Sequence, residues 1–240
     1  MKILKNYGVF FEELNALAVA DLHLGYEEVL RSQGTDVPGS QYKTIERSIE
    51  KMLSETKASK LIICGDIKHD FSKALQQEWS EVIQLIKFVR SKNVVPILIK
   101  GNHDKYISKI LREQDLKLRN YFLEDGFLFL HGHETLEEAK APKKYSSLII
   151  AHEHPAISIR DEMDISHKYK AVLKGAYKKK PLVVLPAISP LAAGTVLNSE
   201  ERNYDLLSPI LEECNISNFV PFLIDEEAGV REFPKIKYLF

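Results

Sequence analysis

At 240 residues, with 45% hydrophobic and 28% charged residues and a formal net charge of -1, the chain has the composition of an ordinary soluble globular protein, large enough for one domain or a domain with a small appendage. No apolar run approaches the roughly 20 residues of a membrane-spanning helix, and charges interrupt the opening MKILKNYGVFFEELNALAVAD where a signal peptide would be apolar, so residence in the cytoplasm is expected. The cysteines, Cys64 inside LIIC and Cys214 in a polar stretch, point away from a disulfide framework and from a structural zinc knuckle.

The apolar run Leu17-Ala20 reads as a strand that stops at Asp21-Leu22-His23. A helix is predicted over Ser40-Glu55, where Ile45, Ile49, Met52 and Leu53 recur at helical spacing, and Leu61-Cys64 is a second strand ending at Gly65-Asp66. Leu75 to Val89 is amphipathic, with Trp79, Val82, Ile83, Ile86 and Val89 along one stripe, and Val94-Ile99 then runs into Gly101-Asn102-His103-Asp104. Strand, helix, strand, helix, strand predicts parallel pairing with right-handed crossovers, and ligands of such sheets gather at the carboxyl ends of the strands. From Tyr121 the rhythm changes to strands: a hairpin about Asp125-Gly126, then Leu148-Ala151, Ile157-Ile159, Ala171-Leu173 and Leu182-Leu185. A last hairpin joins Val220-Ile224 to Val230-Phe233. With no repeat or linker to divide it, the sequence predicts a single α/β domain over residues 1–240, two sheets face to face with helices outside.

The strand ends carry the chemistry. Asp21 and His23 place a hard oxygen and an imidazole two residues apart; Asp66 follows a glycine that permits close backbone approach. Asn102 offers an amide oxygen to a metal, His103 an acid–base group, and Asp104 a carboxylate to orient that imidazole and raise its pKa. His131, His152 and His154 each follow an apolar run, and His133 reads as a supporting or structural residue. Each pair alone has a bland reading as a turn, a helix cap or a structural histidine, yet the pattern repeats at five successive strand ends. Lys68 and His69, just past Asp66, either contact a substrate phosphate or lie exposed at a helix start.

The order Asp21-x-His23, Gly65-Asp66, Gly101-Asn102-His103-Asp104, His131-Gly132-His133 and Ala151-His152-Glu153-His154 resembles the calcineurin-like metallophosphoesterase superfamily, over about Ala16 to Pro155. The resemblance implies a four-layer α/β/β/α sandwich of two mixed sheets, and a metal-dependent phosphoesterase. It implies that Asp21, His23 and His154 hold a first divalent cation, Asn102, His131 and His152 a second, with Asp66 bridging both and His103 with Asp104 serving the leaving group. Ala151 stands where the family usually has glycine, a change of backbone and not of ligand. The mixed oxygen and imidazole set suits Mn²⁺ foremost, with Fe²⁺, Ni²⁺ or Zn²⁺ also fitting, and two such ions activate water while clamping phosphoryl oxygens.

Within the superfamily, Asp21-Leu22-His23-Leu24-Gly25-Tyr26-Glu27 and Gly65-Asp66-Ile67-Lys68-His69 look most like the short phosphoesterases related to SbcD-type DNA-repair nucleases. That implies phosphodiester hydrolysis on nucleic acid or nucleotides. Only about 85 residues follow His154, fewer than such nucleases carry, so DNA would have to be engaged at the rim of the site or by the lysines between Lys140 and Lys180, whose plainer reading is a solvated face. A phosphomonoesterase, a cyclic-nucleotide phosphodiesterase and a noncatalytic scaffold stay open as alternatives.

Overall fold

The computed structural model describes residues 1–35, 40–69, 76–199 and 205–239. The first sheet contains β1 (Lys2–Leu4), β2 (Gly8–Phe11), β3 (Ala16–Val19), β4 (Lys60–Cys64), β5 (Val95–Ile99) and β6 (Leu118–Arg119), side by side in chain order. From β3 to β6 the pairing is parallel, while β1 and β2 add an antiparallel edge. The crossovers hold α1 (Tyr26–Ser32), α2 (Gln41–Thr56), α3 (Gln76–Ser91) and α4 (Ser108–Glu113). Both long helices stand where the apolar spacing predicts; Leu75, the predicted start of the second, lies outside the described residues.

Local chemistry sets these boundaries. The Ser40 side chain accepts from the Lys43 amide at the start of α2, and Lys57 ends it in the left-handed region. Side chains of β3 and β4 alternate between two apolar environments, as a strand buried on both faces requires. Leu17, Val19, Leu61 and Ile63 pack with Ile45, Ile49, Val82 and Ile86 of the helices, whereas Ala16, Ala18, Ile62 and Cys64 face Phe129, Ile149, Val172 and Val183 of the second sheet.

That second sheet contains β7 (Tyr121–Glu124), β8 (Phe127–Leu130), β9 (Ser147–Ile150), β10 (Pro155–Arg160), β11 (Ser166–Tyr177), β12 (Lys180–Val184) and β13 (Thr195–Val196), in the order β13-β10-β11-β12-β9-β8-β7. The final hairpin, β14 (Val220–Asp225) and β15 (Gly229–Glu232), joins it through β11. Asp125 and Gly126 both have positive φ, 47° and 82°, as a two-residue hairpin turn between β7 and β8 demands. Helix–sheet, sheet–sheet and outer-face cores follow one another, the layering of an α/β/β/α sandwich. The outermost layer is thin: α5 (Pro209–Glu212) contributes Ile210 and Leu211, and short turns supply Phe219 and Ile236.

The apolar pattern predicted only Ala171-Leu173 of the 12-residue β11, because its first half, Ser166 to Lys170, is polar and largely exposed. Among the described residues, no helix is long and apolar enough to cross a membrane.

Candidate metal centre

Parallel pairing of β3, β4 and β5 in one sheet, and of β8 and β9 in the other, brings five strand ends to one rim of the sandwich. The two rims are stitched together by a bridge between Ala20 and Ala187 and by the Ile188 amide donating to the Ala20 carbonyl at 2.9 Å. Asp21, Asp66, Asn102, His131, His152 and His154 stand just beyond these ends, and His23 follows two residues after Asp21. Seven of the eight histidines gather here; the remaining one, His167, is exposed and pairs with Asp161 at 2.8 Å.

Asp21, His23, Asp66, His152 and His154 all have positive φ, between 47° and 70°. Such backbone folds the side chain back across the strand end. It costs about 1 kcal/mol or more per residue, least for Asp, Asn and His. Two glycines make the close approach possible. A Cβ on Gly101 would lie 2.0 Å from Asp66 Oδ1, and one on Gly65, whose φ is +83°, would lie 2.3 Å from His131 Nδ1.

The donor atoms fall into two overlapping sets, each with all members within 4.8 Å of one another: Asp21, His23, Asp66 and His154, and Asp66, His131 and His152. Asp66 belongs to both, and Asn102 Oδ1 lies 3.1 Å from His131 Nε2 beside the second. His131 Nδ1 donates to the Cys64 carbonyl at 2.9 Å, which turns Nε2 toward Asp66 Oδ2 at 3.3 Å.

The set fits divalent cations. Asp21 Oδ1 and His154 Nε2 are buried without a hydrogen-bond partner, and His154 Nε2 sits only 3.3 Å from Asp21 Oδ2. Burial works to raise the Asp66 pKa, but His131, His23 and His103 hold it well below the usual carboxylate range. Burial pushes His23 and His152 down to about 3, leaving neutral imidazoles with lone pairs to offer. For His131 burial is outweighed by Asp66 and Asp21, which lift it to about 9.

His103 lies among these groups, its Nε2 3.7 Å from Asp66 Oδ2 and its Nδ1 bonded to the His69 carbonyl. Asp104 does not do what its place after His103 suggested. Its Oδ1 accepts from the Ile67 and Lys68 amides at 2.9 and 3.3 Å and its Oδ2 from the Gly101 amide at 2.8 Å, so it ties the loop after β4 to the loop after β5. Burial, opposed by Asp66, lowers the His103 pKa, where a paired carboxylate was expected to raise it. Asp104 points inward instead, 1% exposed.

Lys68 is likewise corrected. It is neither exposed nor available to a phosphate, being fully buried with Nζ 3.7 Å from Glu78 Oε2. His69, its neighbour, does join the site: its ring stacks on Tyr26 at 3.7 Å and its Nδ1 is 3.4 Å from His23 Nδ1. His133 stands behind His131 with 5.1 Å between ring centroids, its Nδ1 buried without a partner. Of the lysines between 140 and 180, Lys178 to Lys180 occupy the β11–β12 turn, at the end of β12 away from the ligands. Lys170 is at the near end and donates to the Ala187 and Ser189 carbonyls at 2.9 and 2.5 Å.

Residues outside the motifs brace the ligand loops. Gln41 Nε2 donates to the Leu22 carbonyl at 2.8 Å, the His23 carbonyl at 3.2 Å and Ser189 Oγ at 2.7 Å. Ser208 Oγ donates to the Gly132 carbonyl at 2.7 Å, while the Ser208 and Leu207 amides donate to Glu153 Oε2 at 3.1 and 3.0 Å. A lone Gln at a helix start and a lone Ser before Pro209 carry no sequence signal for this, because their partners, backbone carbonyls and the Ser189 hydroxyl, are remote in the chain.

The sequence matches the calcineurin-like phosphoesterase family over residues 14–217. Among solved structures, the chain is similar to the nuclease MPE of Pseudomonas putida, with 18% identity, 96% of this chain and 93% of that one covered, and a TM-score of 0.66. A more distant likeness is to the phosphoesterase Yfce of E. coli, with 13% identity, coverage of 92% and 98%, and a TM-score of 0.42. No curated protein matches the sequence.

Proposed function

We propose that this chain, which belongs to the calcineurin-like phosphoesterase family, hydrolyses phosphodiesters of nucleic acid or nucleotides with two divalent cations at the rim of the sandwich. The observation that carries this is the pair of donor sets sharing Asp66, with His103 beside them. Asp21, His23 and His154 would hold one cation and Asn102, His131 and His152 the other, Asp66 touching both. When bound, the two ions supply Lewis-acid activation of water and of the phosphoryl oxygens. Mn²⁺ is the expected pair, with Fe²⁺, Ni²⁺ or Zn²⁺ also suited to the donors.

The remaining work falls to the protein. His103 gives a proton to the departing oxygen from Nε2, the nitrogen on the Asp66 side, while the His69 carbonyl fixes its ring through Nδ1. Asp66, ionised by its imidazole neighbours, favours the charged form of His103 against the cost of burial. Asp104 positions rather than protonates: it holds the loop that carries both Asn102 and His103 against the loop that carries Asp66.

The diester preference is supported by the Asp21–Glu27 and Gly65–His69 stretches, which resemble SbcD-type nucleases, and by a fold shared with a nuclease. It is tested with Mn²⁺-loaded protein on bis(p-nitrophenyl) phosphate and single-stranded DNA against p-nitrophenyl phosphate and cyclic nucleotides. Absence of diester cleavage, or faster monoester turnover, would overturn it. His103→Ala should leave the metals bound but slow esters with poor leaving groups by about 10²–10⁴-fold, and activated esters less. Equal losses on both would remove His103 from the acid role.

A further inference from the structure

We propose that His23, His69 and His103 form a third divalent-cation site, selective for a borderline-soft ion such as Zn²⁺, whose filling inhibits the enzyme; this rests on the dinuclear reading above. One donor atom from each of the three residues lies within 4.8 Å of the other two, and the trio includes no carboxylate. His23 Nδ1 and His69 Nδ1 are 3.4 Å apart. That is long for a hydrogen bond, but two imidazole nitrogens bound about 2.0–2.1 Å from a tetrahedral zinc ion stand about 3.4 Å apart.

The trio is held in place before any ion arrives. The His69 ring stacks on Tyr26 with 16° between planes, its amide donates to Glu78 Oε1 at 3.1 Å, and its carbonyl fixes the His103 ring through Nδ1. The ring centroids of His23 lie 5.3 Å from His69 and 4.9 Å from His103. Three imidazoles favour Zn²⁺ over Mn²⁺ or Mg²⁺, which prefer the carboxylate and amide oxygens of the catalytic pair. Zn²⁺ also suits the mixed donors of the catalytic pair, so the third site is separated from the other two by its additional equivalent and by its dependence on His69.

Inhibition follows from the overlap. A cation on His103 occupies the nitrogen lone pair that must carry the proton for the leaving group. His69 is the one member of the trio that neither holds a catalytic cation nor carries the leaving-group proton, so it is the residue through which the third site is separable.

The test loads the full chain with two equivalents of Mn²⁺, dialyses it against rising Zn²⁺, and counts both metals by elemental analysis alongside turnover. The expected result is a total of three equivalents of metal per chain, whichever ions fill the catalytic pair, with turnover falling as the third is added. In His69→Asn the added equivalent should disappear, and the Zn²⁺ concentration that halves the variant's own turnover should rise at least about tenfold, the minimum expected when even an outer partner of a ligand is lost. Co²⁺ used in place of Zn²⁺ should give the intense visible absorption of a tetrahedral ion in the unsubstituted chain only. Zinc replacing manganese with the total unchanged, or a third equivalent retained by His69→Asn, would overturn the site while leaving the dinuclear reading intact. Fewer than two manganese ions in the unsubstituted chain would overturn both.

Discussion

Gly101→Ala isolates the geometric demand that the site makes on its backbone. The new Cβ would meet Asp66 Oδ1 at 2.0 Å and the Asp66 amide nitrogen at 2.3 Å, where ordinary contact begins near 3.4 Å, so one partner must move by more than 1 Å. Asp66 cannot easily yield, since its carbonyl accepts from the His23 amide at 2.9 Å and its Oδ1 from the His103 amide at 3.0 Å. The displacement therefore falls on the loop carrying Asn102 and His103, or on the Asp66 carboxylate itself. A misplacement of about 1 Å costs on the order of 10²-fold in turnover. Overpacking of this kind costs about 2 kcal/mol, a fall in Tm of about 4–8 °C for a chain of this size. The measurements are Mn²⁺ calorimetry, turnover of bis(p-nitrophenyl) phosphate at saturating Mn²⁺, and Tm. Gly229→Ala is the control: φ is +89° with nothing within 4 Å, so it should cost about 1 kcal/mol through backbone strain alone and leave turnover unchanged. Two Mn²⁺ bound to Gly101→Ala at unaltered affinity, with turnover within about twofold, would refute the reasoning from contact distances.

Three other perturbations separate bracing from chemistry. Ser208→Ala removes the bond to the Gly132 carbonyl, and Mn²⁺ affinity should fall about 10–100-fold with turnover recovering at high Mn²⁺; an unchanged binding isotherm would remove Ser208 from the bracing role. Asp104→Asn leaves fewer acceptors for three backbone amides and should cost about 1–3 kcal/mol in denaturant unfolding. Its sensitivity to leaving group should match the parent's, because Asp104 does not carry or orient the proton; a selective loss on poor leaving groups would restore the pairing with His103. Lys170 is pulled by burial from 10.5 down to about 8, so between those values the unfolded chain keeps a proton that the folded chain has released. Stability of the metal-free protein should therefore rise with pH through that window, by up to about 2 kcal/mol between pH 7 and 9.5 relative to Lys170→Met, and a flat difference would argue that the ammonium is well solvated.

Every strand end that carries a ligand was legible in the sequence, because each is a short β-branched, aliphatic or aromatic run cut off by Asp, Gly, Asn or His. Parallel order was legible too, from helices of 16 residues each, α2 and α3, set between the strands. The edge strand β1, the two-residue β6 and β13, and the polar half of β11 were not, since an edge or half-exposed strand does not need a continuous apolar run; the short buried β2, GVFF, was missed as well. Side-chain direction inside a turn was also out of reach. Asp104 and Lys68 were assigned outward roles from their neighbours, yet the one points into the loops it joins and the other into a buried pair with Glu78.

The braces explain why the motifs alone would not make a site. Five of the metal-directed residues sit in left-handed backbone, a conformation that each would leave if nothing opposed it. Asp21 and His23 are opposed by Gln41, which spans the Leu22 and His23 carbonyls and reaches across to Ser189, and by the Ser189 amide on the Asp21 carbonyl at 3.3 Å. The His131–Gly132 and His152–His154 loops are opposed by Ser208 and Glu153, a pair that meets only because the segment after Asp205 returns to the rim. Apart from the Gln41–Ser189 bond, these contacts run to backbone atoms, so they constrain the path of the chain while leaving the ligand side chains to the cations. Loss of a brace should therefore appear first as weaker metal binding and only then as slower chemistry, the reverse of the order expected for His103.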